Sequence, residues 1–187
     1  MLKHHSNLVP IFQTFHKMIQ TQFSHTIKIF RSNNAQEYND KSFLCILDSN
    51  GILPHRSCPY TSQQNGRAKR KLRHILNVVR TLLTFTSIPE RFWDEVSLTA
   101  VYTINRLLSP TTHKKSPFEL LYDKLPDYSS LRIVSCVCFV SLPFHEQNKH
   151  EPRSQLCCFL GYGISQKDFH YYDPISHRLR ISHHVEF

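Results

Sequence analysis

A change of period partway along the chain constrains its fold more than any other feature. Up to about Tyr128 the apolar residues recur every three or four positions, and beyond it they fall in short runs rich in β-branched and aromatic residues. The first period belongs to helices buried on one face and the second to half-buried strands. One chain must therefore build a helical layer and then a β unit.

Within the first part, Leu8, Ile11, Phe12, Phe15, Met18, Ile19 and Phe23 share one helical face, predicting a helix over Leu8 to Phe23. A short strand is expected at Thr26 to Phe30, closed by the loop signal Arg31-Ser32-Asn33-Asn34. A second helix covers Lys41 to Leu47, capped by Asn39 or Asp40 and ended by Asn50-Gly51, with another short strand at Ile52 to His55. Gly66 to Phe85 is the strongest helical pattern, with Ala68, Leu72, Ile75, Leu76, Val79 and Leu83 on one face. Ser87-Ile88-Pro89-Glu90 and Ser116-Pro117-Phe118-Glu119 both have capping-box spacing, and Trp93, Val96, Ala100 and Ile104 share a face after the first. Four runs follow as an antiparallel β unit: Cys136 to Leu142, Leu156 to Tyr162, Phe169 to Tyr172 and Leu179 to Val185. Pro110, Pro117 and Pro126 place a linker with a short helix at 109–130, between domains 1–108 and 131–187. The fold class is α/β followed by a small antiparallel β unit.

The chain carries 23 Lys and Arg against 14 Asp and Glu, a formal +9, which favours a polyanionic partner. Met1 to His5 is not followed by a signal-peptide pattern and no apolar run reaches membrane-spanning length, so neither secretion nor a membrane is expected. That leaves nucleus or cytoplasm. The cations concentrate in Arg67, Lys69, Arg70, Lys71, Arg73 and His74, at the start of the long helix and just after Gln63-Gln64-Asn65-Gly66. The positive end of a helix dipole disfavours each exposed cation there by roughly 0.3–1 kcal/mol. Such a cluster points to an anion held nearby, and a phosphate backbone supplies one. Gln63, Gln64, Asn65, Arg67, Arg70, Lys71 and Arg73 are the expected contacts, through phosphate and polar interactions that read no base sequence. A solvated face and a nuclear localisation signal are the competing readings of the same run.

Six Cys stand at 45, 58, 136, 138, 157 and 158 without a CxxC pair, which suits free and mostly buried thiols. A zinc site would need a second pair at known spacing; alternation instead puts Cys136 and Cys138 on one face of a strand. His183-His184 reads as a solvated strand edge.

Two stretches, Arg31-Ser32-Asn33-Asn34-Ala35-Gln36-Glu37-Tyr38 and Ser57-Cys58-Pro59-Tyr60-Thr61-Ser62-Gln63-Gln64-Asn65-Gly66-Arg67-Ala68-Lys69-Arg70, resemble the signatures of the integrase core in copia-type retrotransposons. Phe92-Trp93-Asp94-Glu95, Tyr102 to Arg106 and Lys115 to Leu121 look like the helices that follow that core. Cys158-Phe159-Leu160-Gly161-Tyr162, Tyr172-Asp173-Pro174 and Val185-Glu186-Phe187 resemble the SH3-like segment of the same Pol polyproteins. The resemblance implies an RNase H-like core in which two Asp and one Glu hold two Mg²⁺ or Mn²⁺ ions, cutting a DNA end and joining it to a target.

Against that pattern, Asn33 stands where the family has its second Asp and Lys69 where it has its Glu. The first Asp would belong to a strand upstream of Leu8. A two-metal site must offset four positive charges about 3.5–4 Å apart with anionic oxygens, and a neutral amide and an ammonium cannot. No cofactor and no strand transfer are therefore expected. Glu37 and Asp40 are the nearest spare acids, and an active metal-dependent recombinase or nuclease built on such acids is the rival reading. A transposon relic with no selected role is another. A core beginning at Leu8 would also leave Ile27 to Phe30 and Ile52 to His55 short of pairing partners, so instability or self-association through an open sheet edge is expected.

Overall fold

The computed structural model describes residues 7–59, 61–147, 149–150, 152–163 and 168–187. Expectations that concern Met1 to His5 and Tyr60 lie outside them. Contact density divides the chain between Leu72 and Arg73 into two compact units.

The first unit opens with α1 (Leu8–Phe23), as its period predicts. β1 (Ile29–Ser32), α2 (Lys41–Ser49) and β2 (Leu53–Arg56) follow as a strand, helix, strand crossover. The two strands pair in parallel, Ile29 opposite Leu53 and Ser32 opposite Arg56. Periodicity set the first strand at Thr26 to Phe30; it lies later because the ladder starts where the Leu53 N–H donates to Lys28 O and ends where the Ser57 N–H donates to Ser32 O, both 3.0 Å. Arg31 and Ser32, read as loop, are thus ladder residues. Asp40 takes the N-cap position of α2 but caps no backbone amide, and its carboxylate accepts from the Ser42 hydroxyl instead. Past the end of α2, Gly51 adopts φ +65°, a conformation that costs a β-carbon residue about 1 kcal/mol or more. The core of this unit is aromatic: Phe12 meets Phe30 at 5.3 Å and Phe43 at 5.2 Å between ring centroids, and Leu47 and Ile52 close it. Edge-on aromatic pairs of this kind add roughly 0.5–1.5 kcal/mol each beyond their burial.

α3 (Gly66–Thr86) runs across the division. Its apolar stripe is covered only from Ile75 onward, where Ile75, Val78, Val79, Leu82 and Leu83 enter a core. Ala68 and Leu72, which periodicity places on that stripe, are exposed, since none of the described residues packs over them. The capping box expected at Ser87 does not form. Ser87 sits in the left-handed region (φ 53°), and a 3₁₀ turn at Glu90–Phe92 leads into α4 (Trp93–Arg106). The second box does form: the Glu119 N–H donates to Ser116 Oγ at 3.0 Å, with Pro117 first in α5 (Pro117–Tyr122).

The chain then builds β3 (Val137–Ser141), β4 (Ser154–Tyr162), β5 (Phe169–Asp173), β6 (Arg178–Ser182) and β7 (Val185–Glu186). They form one antiparallel sheet in the order β6-β5-β4-β3-β7. β4 is central and serves two cores by alternation. Cys157, Phe159 and Tyr162 pack with Cys138, Val140 and Tyr171, while Leu160 packs with Val79, Val96, Ala100 and Val134. The stretch 109–130 connects α4 to β3 inside this second unit.

One glycine is required by that packing. A β-carbon on Gly161 would lie 1.9 Å from Thr99 Oγ1 and 3.3 Å from the Glu95 carbonyl, both on α4. The strand is irregular between Phe159 and Gly161, and the buried Thr99 hydroxyl donates to Leu160 O at 3.1 Å. α4 thus rests directly on the backbone of β4.

Candidate nucleic-acid interface

Formal charge is distributed unequally between the two units. Residues 1–72 contain ten Lys and Arg against three Asp and Glu, a formal +7; residues 73–187 contain 13 against 11, a formal +2. The excess seen in the whole sequence belongs to the first unit, where Arg67, Lys69, Arg70 and Lys71 close it. Arg73 is the first residue of the second unit, on the same helix.

The approach to that helix is fixed by local hydrogen bonds. The Asn34 side-chain amide donates to Ser57 O (3.0 Å), tying the loop after β1 to the end of β2. The Cys58 N–H donates to Gln64 Oε1 (2.9 Å), and the Thr61 hydroxyl donates to Cys58 O (2.7 Å). A 3₁₀ turn at Ser62–Asn65 then delivers the chain into α3. The Gln64 oxygen is engaged in the loop, so its amide nitrogen is the group left to meet a phosphate. Gln63 is exposed and Asn65 half-buried.

Residues 67–74 are all exposed, and the first turn of α3 contains no acid. At 3.6 residues per turn, Arg67, Arg70, Lys71 and His74 form one stripe, and Lys69 and Arg73 flank it. The cations occupy a sector of roughly 200° around the helix, with Ala68 and Leu72 in the remainder. Dipole, loop amides and cations all present positive potential on one solvent-facing surface. The observed side chains can make point-charge and bidentate contacts to phosphate, and none is buried in a pocket that would select a base.

The two positions that the resemblance assigns to metal ligands are also on this unit. Asn33 is exposed and its Oδ1 accepts from the Ala35 N–H at 3.4 Å, a turn within its own loop; Lys69 is exposed on α3. Glu37 lies in a 3₁₀ turn at Gln36–Asn39 and Asp40 at the start of α2. Among the described residues, no group of three or more His, Cys, Asp or Glu is arranged to hold a metal ion. No helix among them is long and apolar enough to cross a membrane.

All six cysteines are free, but they are not mostly buried as expected. Cys45 and Cys58 are exposed and Cys136 and Cys158 half-buried, because α2 and the loop after β2 turn the first two to solvent and only Cys138 and Cys157 enter the core of the sheet. Cys138 and Cys157 face each other across β3 and β4 and are buried. Burial pushes the Cys138 thiol up to about 12 and the Cys157 thiol up to about 11, with the neighbouring thiols and, for Cys157, the Asp173 carboxylate adding to it. Neither thiol supplies a thiolate near neutral pH.

Four residues of the matching blocks, Tyr102, Arg106, Tyr162 and Asp173, organise the second unit in roles that sequence reasoning does not assign. Tyr102 and Tyr162 stack at 4.0 Å between ring centroids, and the Arg106 guanidinium lies 3.3 Å above Tyr102. The Tyr162 hydroxyl accepts from the Arg132 N–H at 2.7 Å, tying the segment before β3 to β4. Asp173 is 2% exposed and accepts from the Ile175 N–H (2.9 Å), the Ser176 N–H (3.2 Å), the Ser176 hydroxyl (2.7 Å) and Arg180 Nε (2.8 Å). Burial alone would raise its carboxyl, but those donors hold it down at about 2. Arg180 also reaches Glu146 at 2.6 Å. Asp173-Pro174 stands in one of the matching blocks of the sequence, whereas no local pattern links Asp173 to Arg180.

Comparison with known proteins places these blocks. Residues 136–187 match the family described as the retroviral polymerase SH3-like domain. The chain is 36% identical over 186 residues to the retrovirus-related Pol polyprotein from transposon RE1 of Arabidopsis thaliana, covering 100% of this chain and 13% of that one. It is 32% identical over 187 residues to the corresponding polyprotein from transposon TNT 1-94 of Nicotiana tabacum, covering 100% and 14%. A truncated transposon Ty1-A Gag-Pol polyprotein of Saccharomyces cerevisiae is 26% identical over 110 residues, 59% of this chain and 9% of that one. The chain thus spans about one seventh or less of the relatives it matches. Among solved structures, a chain of the simian T-cell lymphotropic virus intasome in complex with PP2A regulatory subunit B56 gamma has TM-score 0.52 at 15% identity. That match covers 97% of this chain and 65% of the other, and at such identity it speaks to the fold.

Proposed function

Over its whole length this chain is a relative of the copia-type retrovirus-related Pol polyproteins, and from that kinship we propose that it is an integrase-derived fragment that binds nucleic acid without joining it. The carrying observation is the uncovered start of α3, where five Lys and Arg at 67–73 stand exposed on a helix end with no acid in its first turn. A polyanion is the partner that removes the cost of that arrangement. Double-stranded DNA is the substrate class, held through its backbone and without sequence preference; Gln63, Asn65, Arg67, Arg70, Lys71 and Arg73 are the contacts, with Gln64 contributing its amide nitrogen. The intasome likeness supports the setting in which such a surface works.

Residues 1–108 are read as part of an RNase H-like core, in which β1 and β2 are two parallel strands and Asn33 and Lys69 stand at acid positions. A Mg²⁺ or Mn²⁺ pair has no anionic cage to enter there, so strand transfer and nicking are lost while phosphate affinity is kept. An electrophoretic shift on random-sequence duplex across salt concentrations tests the binding half: a steep loss with salt supports it, and a flat response removes it. A plasmid-nicking assay in manganese tests the other half. Nicking that depends on Glu37 or Asp40 would instead favour the rival recombinase.

A further inference from the structure

The solvent face of the antiparallel sheet carries two rows of side chains across β7, β3 and β4. In the first row Ser141 is paired with Ser154, and its N–H donates to His184 O at 3.2 Å, which sets His184 on its other side. The adjoining Leu142 N–H donates to Arg153 O at 2.8 Å. Ser141 and Ser154 therefore form a non-hydrogen-bonded pair, the kind in which facing Cα atoms approach to about 4.5 Å and the side chains lie close. Neither hydroxyl has a hydrogen-bond partner among the described residues. The second row lies two residues along, about 7 Å away, where Glu186 stands opposite Phe139, whose ring is 50% exposed. Phe139, Ser141, Arg153, Ser154, His184 and Glu186 line one open depression of about 680 Å³. His183 borders it too, but lies 3.8 Å from the Asp168 carboxylate. Arg153 and His184 are exposed, and among the described residues no carboxylate pairs with either.

We propose that this depression binds a nucleoside monophosphate unit, with the phosphate on the first row and the base on the second. The two adjacent hydroxyls, the Arg153 guanidinium and the His184 imidazole all donate, and together they meet the oxygens of one tetrahedral phosphate. The Phe139 ring offers a stacking face at the separation that a sugar sets between its phosphate and its base. Beside that ring the Glu186 carboxylate accepts from an exocyclic amine, the contact by which carboxylates read cytosine. The same carboxylate repels a phosphate from the ring end, which fixes the direction of the ligand. A duplex holds its bases inside the stack and has none to give to Phe139 without flipping it out. The ligand is therefore a free nucleotide or the unpaired end of a strand, which share this phosphate, sugar and base. The site belongs to the second unit and uses none of the cations at the start of α3, so it fails separately from the duplex reading.

Titration of the 187-residue chain with CMP from roughly 0.1 to 10 mM, followed by amide NMR, tests it. The expected result is a saturable shift of the Ser141, Ser154 and His184 signals. Cytidine and inorganic phosphate each bind about tenfold more weakly or worse, and UMP, which turns an acceptor toward Glu186, also binds more weakly than CMP. Arg153→Gln and Phe139→Ser change exposed positions, far-ultraviolet circular dichroism verifies that each is folded, and each weakens CMP binding by about tenfold. A short single strand of cytidines with a terminal phosphate identifies the source: binding tighter than that of CMP marks a strand end, and equal or weaker binding marks the free nucleotide. No saturable shift, shifts confined to residues 67–73, cytidine or UMP binding as well as CMP, or full affinity in the folded variants overturns the proposal.

Discussion

Gly161→Ala adds one methyl group at the place where α4 rests on β4. The new carbon would begin 1.9 Å from Thr99 Oγ1 and 3.3 Å from both Thr99 Cβ and the Glu95 carbonyl. Thr99 is 1% exposed, β-branched and fixed by its bond to Leu160 O, so it cannot swing away without leaving a buried carbonyl short of a donor. Losing that bond costs about 1 kcal/mol and overpacking about 1–3 kcal/mol. Stiffening of the unfolded chain by Ala returns about 0.4–1 kcal/mol. The net expectation is a destabilisation of about 1–3.6 kcal/mol, the sum of those ranges. Thr99→Ala alone costs about 1 kcal/mol, yet in the Gly161→Ala background it removes the obstacle, so the double variant should be less destabilised than the sum by about 1–2 kcal/mol. Urea unfolding read by Trp93, the single tryptophan, which packs against the same core, measures all four corners of the cycle. Strict additivity, or a Gly161→Ala midpoint equal to that of the parent, refutes the argument that α4 touches the strand backbone.

Other outcomes follow from the same geometry. Asp173 is depressed from 3.8 to about 2 on folding, so its contribution is present above pH about 4 and lost as pH falls through 2. The difference is worth about 2 kcal/mol, and a pH series of urea midpoints should show that slope in the parent but not in Asp173→Asn. Asp173→Ala leaves the Arg180 guanidinium without one of its two carboxylates and should cost about 3 kcal/mol in thermal unfolding. Tyr162→Phe removes the acceptor of the Arg132 N–H and should cost about 1 kcal/mol with the ring stack on Tyr102 retained, seen as a shifted midpoint with unchanged far-ultraviolet circular dichroism. Calorimetric titration with Mn²⁺ should give no saturable heat; a stoichiometric isotherm would contradict the loss of the two-metal site.

How far the sequence discloses the fold varies with the kind of signal. Where one face must be buried over several turns, as in Leu8 to Phe23, the period alone gives the bounds of the helix. Three of the four expected β runs are equally visible, whereas Leu179 to Val185, one run by its composition, divides into β6 and β7 on opposite edges of the sheet, because β7 pairs with β3 rather than continuing beside β5. Signals that rest on a single local rule succeed only if nothing competes. Ser116 caps its helix because Pro117 can follow it, whereas Ser87 is drawn into a left-handed turn at the end of α3 and leaves the start of the next helix to a 3₁₀ turn. The bounds of β1 depend on a partner more than twenty residues away, which no local pattern encodes. Exposure of Ala68 and Leu72 is invisible for the same reason: period says which residues share a face, not whether anything covers it.

Of the candidate site, charge and its place on a helix end are legible because like charges at adjacent positions need no fold to be counted. Its concentration in the first unit, +7 against +2, emerges only once the division at Leu72 is known. The engagement of Gln64 with Cys58 is a loop contact that narrows its role, and spacing gave no sign of it.

The claim on which the account turns is that the cations at the start of α3 meet phosphate. Fluorescence anisotropy on a labelled random duplex, with the logarithm of the association constant plotted against that of salt concentration, measures it directly. The account predicts a steep negative slope for the parent and one shallower by about 3 for the triple variant Arg67→Gln, Arg70→Gln, Lys71→Gln, with unchanged thermal stability. Equal slopes for the two proteins would contradict it.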